Sequence, residues 1–194
     1  MKQQAKKQQA NQTQQGSSPG SENAVELLKS DHAKVKDLFK QFEGTASDKE
    51  GLATQIFNEL DVHAMLEEEI FYPAVRDQIG SEQVADLEGE ETDEGETDEE
   101  VDDLEDEESA EELIEISYEE HKLVKELISE LRKMDPKSDQ FKERFAELKE
   151  DVLNHVSEEE EVIFPAAQLK LNLQELGAQI QKKKIERMSA MADR

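Results

Sequence analysis

Two stretches of the same form decide the fold of this chain: HAMLEEEIFYP at residues 63–73 and HVSEEEEVIFP at residues 155–165. Each begins with a histidine, places a glutamate four residues later and ends with an aromatic residue followed by proline. Residues four apart lie on the same face of an α-helix, one turn from each other. The repetition therefore indicates two copies of one helical unit.

Each stretch is preceded by another histidine, His32 lying 31 residues before His63 and His121 lying 34 residues before His155. Around all four histidines, apolar residues recur at alternating steps of three and four, which is the spacing of one helix face. Two helices joined by a short turn form a hairpin, and two hairpins can pack as a bundle. We predict an all-α, up-down-up-down four-helix bundle over residues 23–168, built from two repeated helical hairpins.

Capping signals predict where the first two helices begin. Asn23 with Glu26, and Ser47 with Glu50, have the spacing of capping boxes. Pro73 is expected to kink or end the second helix unless the chain returns to helical geometry beyond it.

Three segments lie outside the bundle pattern. Residues 1–22 are rich in glutamine and poor in apolar side chains, which predicts a disordered tail. Residues 86–112 hold eighteen Asp and Glu and no Lys or Arg, so an acidic, solvated linker is expected between helices two and three. One amphipathic helix is predicted over 166–190, and the segment 169–194 with its basic end is expected to cover the bundle end or to form a homodimer with a second copy.

Composition excludes several classes of function. The 194 residues include 23 Lys and Arg against 50 Asp and Glu, a net charge of −27, which opposes nucleic-acid binding because phosphates require a basic face. Removing the eighteen linker charges leaves −9 for the remaining chain. The absence of cysteine excludes a disulfide framework, cysteine-ligated zinc or iron–sulfur sites and thiol catalysis. No stretch resembles a membrane span or a signal core, so a cytoplasmic location is expected.

All four histidines of the chain occupy the apolar faces of their predicted helices, each on a different helix. A single buried histidine is usually a hydrogen-bonded core residue, but four at repeat-equivalent positions favour metal binding. Buried carboxylates at the same faces would be costly without a cation. Three or four of these ligands would suit one zinc ion, whereas six suit two bridged ions of iron, manganese or zinc. The six candidate ligands are His32, His63, Glu67, His121, His155 and Glu159.

At these residues the sequence resembles the hemerythrin-like, or HHE cation-binding, family. The resemblance rests on Asp31-His32, Glu120-His121 and the two quoted stretches, and it covers about residues 23–168 without the acidic insert. It implies a bundle that holds a non-haem di-iron centre, bridged by oxygen and carboxylates. Carried over to this chain, one iron would be held by His32 and His63, the other by His121 and His155, with Glu67 and Glu159 as bridges.

One position departs from the oxygen-carrying members of that family, which have a second histidine in helix three where this chain has Lys125. Four imidazoles in place of five imply near-symmetric irons with an open position on each. Additional carboxylates from Glu68, Glu120 or Glu160 could fill these positions, or they could simply face solvent. Tyr118, one turn before the helix-three histidine, is expected to pack in the core or to hydrogen-bond a bound oxygen species.

These observations support three functions. The first is a di-iron module that binds or senses dioxygen, peroxide, another small diatomic ligand or iron itself, with no catalytic residue assigned. The second is an enzyme acting on peroxide, nitric oxide or ferrous iron. The third is a structural or partner-binding bundle that metal merely stabilises.

Overall fold

The computed structural model describes residues 22–45, 47–85 and 110–192, and every element within these ranges is helical. The predicted N-terminal tail up to residue 21 and the acidic linker from residue 86 to 109 lie outside the described residues. The α-helices are α1 (Ala24–Gly44), α2 (Lys49–Leu66), α3 (Tyr72–Ala85), α4 (Ala110–Leu131), α5 (Asp139–Glu158), α6 (Phe164–Lys170) and α7 (Leu173–Ala192).

Two of these boundaries are not breaks in the chain's helical path. A π-helical turn at Glu67–Phe71 joins α2 to α3, and another at Glu159–Ile163 joins α5 to α6. The resulting two long rods pack with α1 and α4, which confirms the predicted all-α four-helix bundle. The fifth rod, α7, packs against α1, α2 and the first π turn.

The π turns explain how both helices continue past a proline. Proline has no backbone N–H, and its ring clashes with the carbonyl four residues earlier in a regular α-helix. Here the backbone N–H of Tyr72 bonds the carbonyl of Glu67, five residues back, and Phe164 bonds Glu159 in the same way. The wider turn lies directly before each proline, so the kink expected at Pro73 becomes a local change of helix type.

The helix starts agree with the sequence at one of the two predicted capping boxes. Asn23 and Glu26 form the predicted reciprocal pair at α1, which confirms that box. The box predicted at Ser47 is wrong, because the chain turns through a left-handed conformation at Asp48, with φ of 58°, and α2 begins only at Lys49.

The apolar core divides into two clusters. The first lies towards the α1–α2 and α4–α5 turns and includes Phe39, Phe145 and Leu148. The second lies towards the opposite end and includes Phe71 and Phe164. The four histidines separate the two clusters along the bundle.

The C-terminal region differs from the single helix predicted over 166–190. The backbone is extended at Leu171, so α6 ends there and α7 starts anew. Leu169 is consequently 83% exposed, whereas Leu176 and Ile180 are buried against the bundle. Among the described helices, none has the length and apolar character that a membrane span requires.

Candidate metal centre

The structure brings all six predicted ligands together in the middle of the bundle. Every one is at most 6% exposed, and each long rod contributes a histidine and a glutamate one turn apart. Two groups of potential metal ligands result, one formed by His32, His63, Glu67 and Glu159, the other by Glu67, His121 and His155.

The imidazoles form two pairs that face each other through their Nε2 atoms. The Nε2 atoms of His32 and His63 are 2.9 Å apart, and those of His121 and His155 are 3.1 Å apart. Each pair consists of the histidine that begins a quoted stretch, His63 or His155, and the earlier histidine of the same half of the chain. These are the pairs that the family resemblance implies for the two irons.

Glu67 spans the two pairs with its two carboxylate oxygens. Its Oε1 is 3.1 Å from Nε2 of His63, and its Oε2 is 3.4 Å from Nε2 of His121. Both oxygens are buried without a hydrogen-bond partner. This carboxylate is therefore placed to bridge two cations.

Glu159 presents only one oxygen to the imidazoles. Its Oε2 lies 3.2 Å from Nε2 of His32 and 3.5 Å from Nε2 of His155. Its Oε1 accepts a 2.7 Å hydrogen bond from the hydroxyl of Tyr72. The two central carboxylates are thus unequal, although the sequence stretches that carry them are repeats.

A second layer of carboxylates orients the imidazoles from outside. Nδ1 of His32 bonds Glu160 at 3.0 Å. A carboxylate can only accept, so Nδ1 carries the hydrogen, and a neutral ring then directs the lone pair of Nε2 towards the centre. The same arrangement joins His121 to Glu68 at 3.0 Å and His155 to Glu120 at 2.8 Å.

The three additional glutamates considered from the sequence, Glu68, Glu120 and Glu160, therefore bind the outer nitrogens of the central imidazoles. The fourth outer carboxylate is Asp31, whose Oδ2 is 3.9 Å from Nδ1 of His63. The sequence reasoning assigned no role to Asp31. Its position directly before a core histidine, matching Glu120 before His121, was the available signal.

Lysines neutralise three of the outer carboxylates. Lys125, at the position of departure from the oxygen carriers, bonds Glu68 at 2.5 and 2.7 Å. Lys36 pairs with Glu160 at 3.2 Å, and Lys184 of α7 pairs with Asp31. Lys125 therefore supports a ligand from outside instead of replacing one.

The carboxylates also control the protonation of the imidazoles. Burial alone lowers the pKa of His63, but Glu67 and Asp31 outweigh burial and raise the pKa to about 10. Burial likewise lowers the pKa of His155, whereas Glu159 and further carboxylates raise it to about 9. Protons and cations therefore compete for the same nitrogen atoms.

The tyrosine at the centre is Tyr72 and not the one considered from the sequence. Tyr72 is fully buried and stacks on His121, with ring centroids 5.7 Å apart. Burial and the neighbouring carboxylate of Glu159 raise its pKa well above the usual range, so the phenol stays protonated and donates. Tyr118 packs edge-on against the ring of Tyr72, and its hydroxyl is 3.4 Å from the backbone carbonyl of Glu68.

A small cavity of about 20 Å³ lies beside the four imidazoles on the side away from the carboxylates. Its other walls are the apolar side chains of Val35, Leu60, Ala64, Val124, Val152 and Val156. A space of this size holds about one water-sized molecule. Only a very small ligand fits here without a change in the surrounding core.

The donor set fits divalent cations. Three of the four oxygens of Glu67 and Glu159 are buried without any hydrogen-bond partner, an arrangement that is costly unless a cation is present. Two central and four outer carboxylates face three lysines, which leaves an excess of negative charge around the imidazoles that cations or protons can neutralise. Nitrogen and oxygen ligands without sulfur suit iron, manganese or zinc.

Comparison with known proteins agrees with the helical fold. A solved structure from Mycobacterium kansasii, described as a Hemerythrin HHE cation binding domain-containing protein, has a TM-score of 0.64 at 22% identity. The alignment covers 88% of this chain and 91% of that one, which shows a shared fold.

A relative from Nostoc sp., described as a DNA nickase, is 29% identical over 155 residues. These residues are 78% of this chain but only 35% of the relative, so the chain spans about a third of that protein's length.

The family described as Hemerythrin HHE cation binding domain matches residues 23–116, 97–167 and 112–192. Together these matches include all four histidines and both central glutamates. The chain therefore belongs to the hemerythrin HHE cation-binding domain family.

Proposed function

We propose that the six central side chains hold two iron ions and that this di-iron centre binds dioxygen or peroxide. The observation that carries the proposal is the position of Glu67, whose two oxygens each face a different pair of imidazoles. One carboxylate spanning two nitrogen pairs is typical of two-metal sites in helical bundles. Bound iron would supply the redox chemistry with oxygen species.

The chain's own residues account for the selectivity of such a site. The outer carboxylates keep Nε2 of His32, His121 and His155 directed inwards, and the valine-rich cavity admits only a very small ligand beside the imidazoles. The four imidazoles and two glutamates do not fill two six-coordinate ions, so positions remain for an added ligand. This supports iron with a small oxygen ligand over a closed, tetrahedral zinc site.

Other functions have less support. An enzyme acting on peroxide, nitric oxide or ferrous iron would use the same centre and cavity. Catalytic turnover of that substrate would distinguish such an enzyme from a binding module. The relative from Nostoc sp. is described as a DNA nickase, but that protein is much longer than this chain. The net charge of −27 opposes contact with a phosphate backbone, so we do not propose it for this chain.

The test is the metal content of the purified chain together with its optical spectrum, recorded without oxygen and then with oxygen or peroxide. We expect two irons per chain and new oxo-to-iron bands on exposure. His155→Ala should lower the iron content, whereas Asn154→Ala, an exposed neighbour, should leave it unchanged. One tetrahedral zinc, or full iron content in the His155 variant, would contradict the proposal.

A further inference from the structure

The only two tyrosines of the chain lie in ring contact with each other. Their ring centroids are 5.3 Å apart, with an interplanar angle of 70°. The chain has no tryptophan and no cysteine, so Tyr72 and Tyr118 are its phenols and its most readily oxidised aromatic side chains. One is fully buried at the metal centre, and the other is half-buried at the surface.

The buried end of this pair touches the centre twice. The hydroxyl of Tyr72 donates to Oε1 of Glu159 at 2.7 Å, and its ring stacks on His121. The repeat-equivalent residue is Phe164, which stacks on His32 with ring centroids 5.5 Å apart. A phenyl ring therefore satisfies the packing in the other half of the bundle, so packing alone does not require the hydroxyl of Tyr72.

The outer end of the pair opens on a groove. Tyr118 lines an open groove of about 420 Å³ together with Glu68, Lys122, Lys125, Glu126 and Ser129. The groove is open to solvent, so a small molecule would lie against one wall and stay partly exposed. Lys125 is paired with Glu68 and Lys122 with Glu119, and Glu126 adds one negative charge, so beside that carboxylate the groove offers an aromatic edge and lysine methylenes. A small neutral aromatic molecule fits these walls.

We propose that Tyr72 and Tyr118 form an electron-transfer route by which a small phenol in the groove reduces hydrogen peroxide at the metal centre. The inference rests on the proposed function, because peroxide at the di-iron centre is the oxidant. It adds an activity, a substrate class and a second binding surface to that function.

The route balances electrons and protons. Tyr72 gives one electron towards the centre, and its phenolic proton moves along the hydrogen bond to Glu159. Tyr118 gives an electron to Tyr72, which takes its proton back from Glu159, and Tyr118 releases its own proton to solvent. The phenol in the groove restores Tyr118 by supplying one electron and one proton and becomes a phenoxyl radical. For two phenol molecules, the two protons released to solvent balance the two that are taken up from solvent at the centre as the O–O bond of one hydrogen peroxide breaks and two waters form.

Two conservative variants test the route on the iron-loaded full chain, with guaiacol as the phenol and hydrogen peroxide as the oxidant. Tyr72→Phe and Tyr118→Phe keep the rings and remove the hydroxyls. We expect both variants to bind iron like the wild type and to oxidise guaiacol at least about tenfold more slowly. Ile116→Ala, a change at an exposed position of α4, is the control and should oxidise guaiacol at the wild-type rate.

Electron paramagnetic resonance after rapid freezing with peroxide separates this route from a structural role. The Tyr118 variant should accumulate a tyrosyl radical on Tyr72, whereas the Tyr72 variant should show none. Two results would overturn the route and leave the proposed function intact. One is an equal guaiacol rate in the wild type and both variants. The other is a Tyr118→Phe protein that changes its optical spectrum with peroxide but shows no tyrosyl radical. No optical change with peroxide in the iron-loaded wild type would overturn both.

Discussion

At the scale of single residues, each of the four central imidazoles has a carboxylate near its outer nitrogen, hydrogen-bonded in three cases and 3.9 Å away for His63, and the pairing follows the internal repeat. The residue before each early histidine, Asp31 or Glu120, faces the later histidine of the same half. The residue after each central glutamate, Glu68 or Glu160, faces the early histidine of the opposite half. Such outer carboxylates fix the tautomer of an imidazole and raise its strength as a ligand.

Removing one outer charge should therefore weaken metal binding without removing a ligand. We expect Glu120→Gln to lower the affinity for iron by about 10- to 100-fold, because the amide orients His155 less strongly than the carboxylate. Glu119→Gln alters an exposed neighbour that pairs with Lys122 and is the matched control. Competition with a chelator measures both affinities, and equal values would show that Glu120 has no influence on the site.

The raised histidine pKa values predict how the metal-free chain responds to pH. Because the pKa of His63 is about 10 in the folded chain and near 6.5 when unfolded, its contribution to stability is complete below pH 6.5. That contribution is lost as pH rises to about 10. The contribution of His155 is lost in the same direction, as pH rises to its folded-state pKa of about 9. Urea unfolding of chelator-treated protein should give falling stability from pH 6.5 to 10. A rise over that interval would contradict the assignment.

At the scale of elements, the π turns and the C-terminal helix give the repeated halves different surroundings. Each π turn begins at a central glutamate, and the wider turn lets the same rod carry a histidine, that glutamate and a proline without breaking. Helix α7 packs on α1, α2 and the first π turn, all in the first half, where Lys183 lies 2.6 Å from Glu69 and Lys184 pairs with Asp31. The helix therefore packs on the half of the bundle that carries His32 and His63.

The contribution of α7 packing to stability can be tested at Ile180, because its side chain is fully buried. We expect Ile180→Ala to lower the free energy of unfolding by about 2–5 kcal/mol. Ile185→Ala on the same helix, where the side chain is 62% exposed, should change it by less than about 0.5 kcal/mol. Urea unfolding checks both, and similar losses in the two variants would mean that α7 docks differently.

Gly177 sets the closeness of α7 to the start of α1. A β-carbon there would lie 2.6 Å from the carbonyl oxygen of Glu22 and 2.9 Å from the nitrogen of Ala24. Despite the better helix propensity of alanine, we expect Gly177→Ala to cost about 1–3 kcal/mol of stability, because backbone atoms must move. Gly44→Ala, with nothing within 4 Å, should be neutral or stabilising in the same unfolding assay. A stabilised Gly177 variant would disprove the close contact.

At the scale of the whole molecule, charge is distributed very unevenly. Eighteen of the 50 acidic residues lie in residues 86–112, whereas the centre itself uses six carboxylates, two of which are among the six predicted ligands. The segment connects α3 to α4, and its bulk lies outside the described residues. It can act as a solubilising spacer or raise the local concentration of ferrous ions by electrostatic attraction.

Replacing residues 88–108 by a neutral Gly/Ser linker of equal length separates these roles. We expect two irons per chain in the replaced protein, because none of the six predicted ligands lies in the segment. The rate of ferrous ion uptake at low salt should fall if the segment attracts cations and stay constant if it only solubilises. A loss of iron stoichiometry would place the segment within the site.

The sequence by itself determined the helical class, the duplication and the identity of the six central side chains. These depend on local spacing, because residues three and four apart share a helix face wherever the helix lies. Only the tertiary structure decided which carboxylate serves which imidazole, and that Tyr72 approaches Glu159 where Phe164 has no hydroxyl. The His32–Glu160 and Tyr72–Glu159 contacts join residues 128 and 87 apart, so they arise from how the rods pack. Helical periodicity within one rod carries no information about that packing.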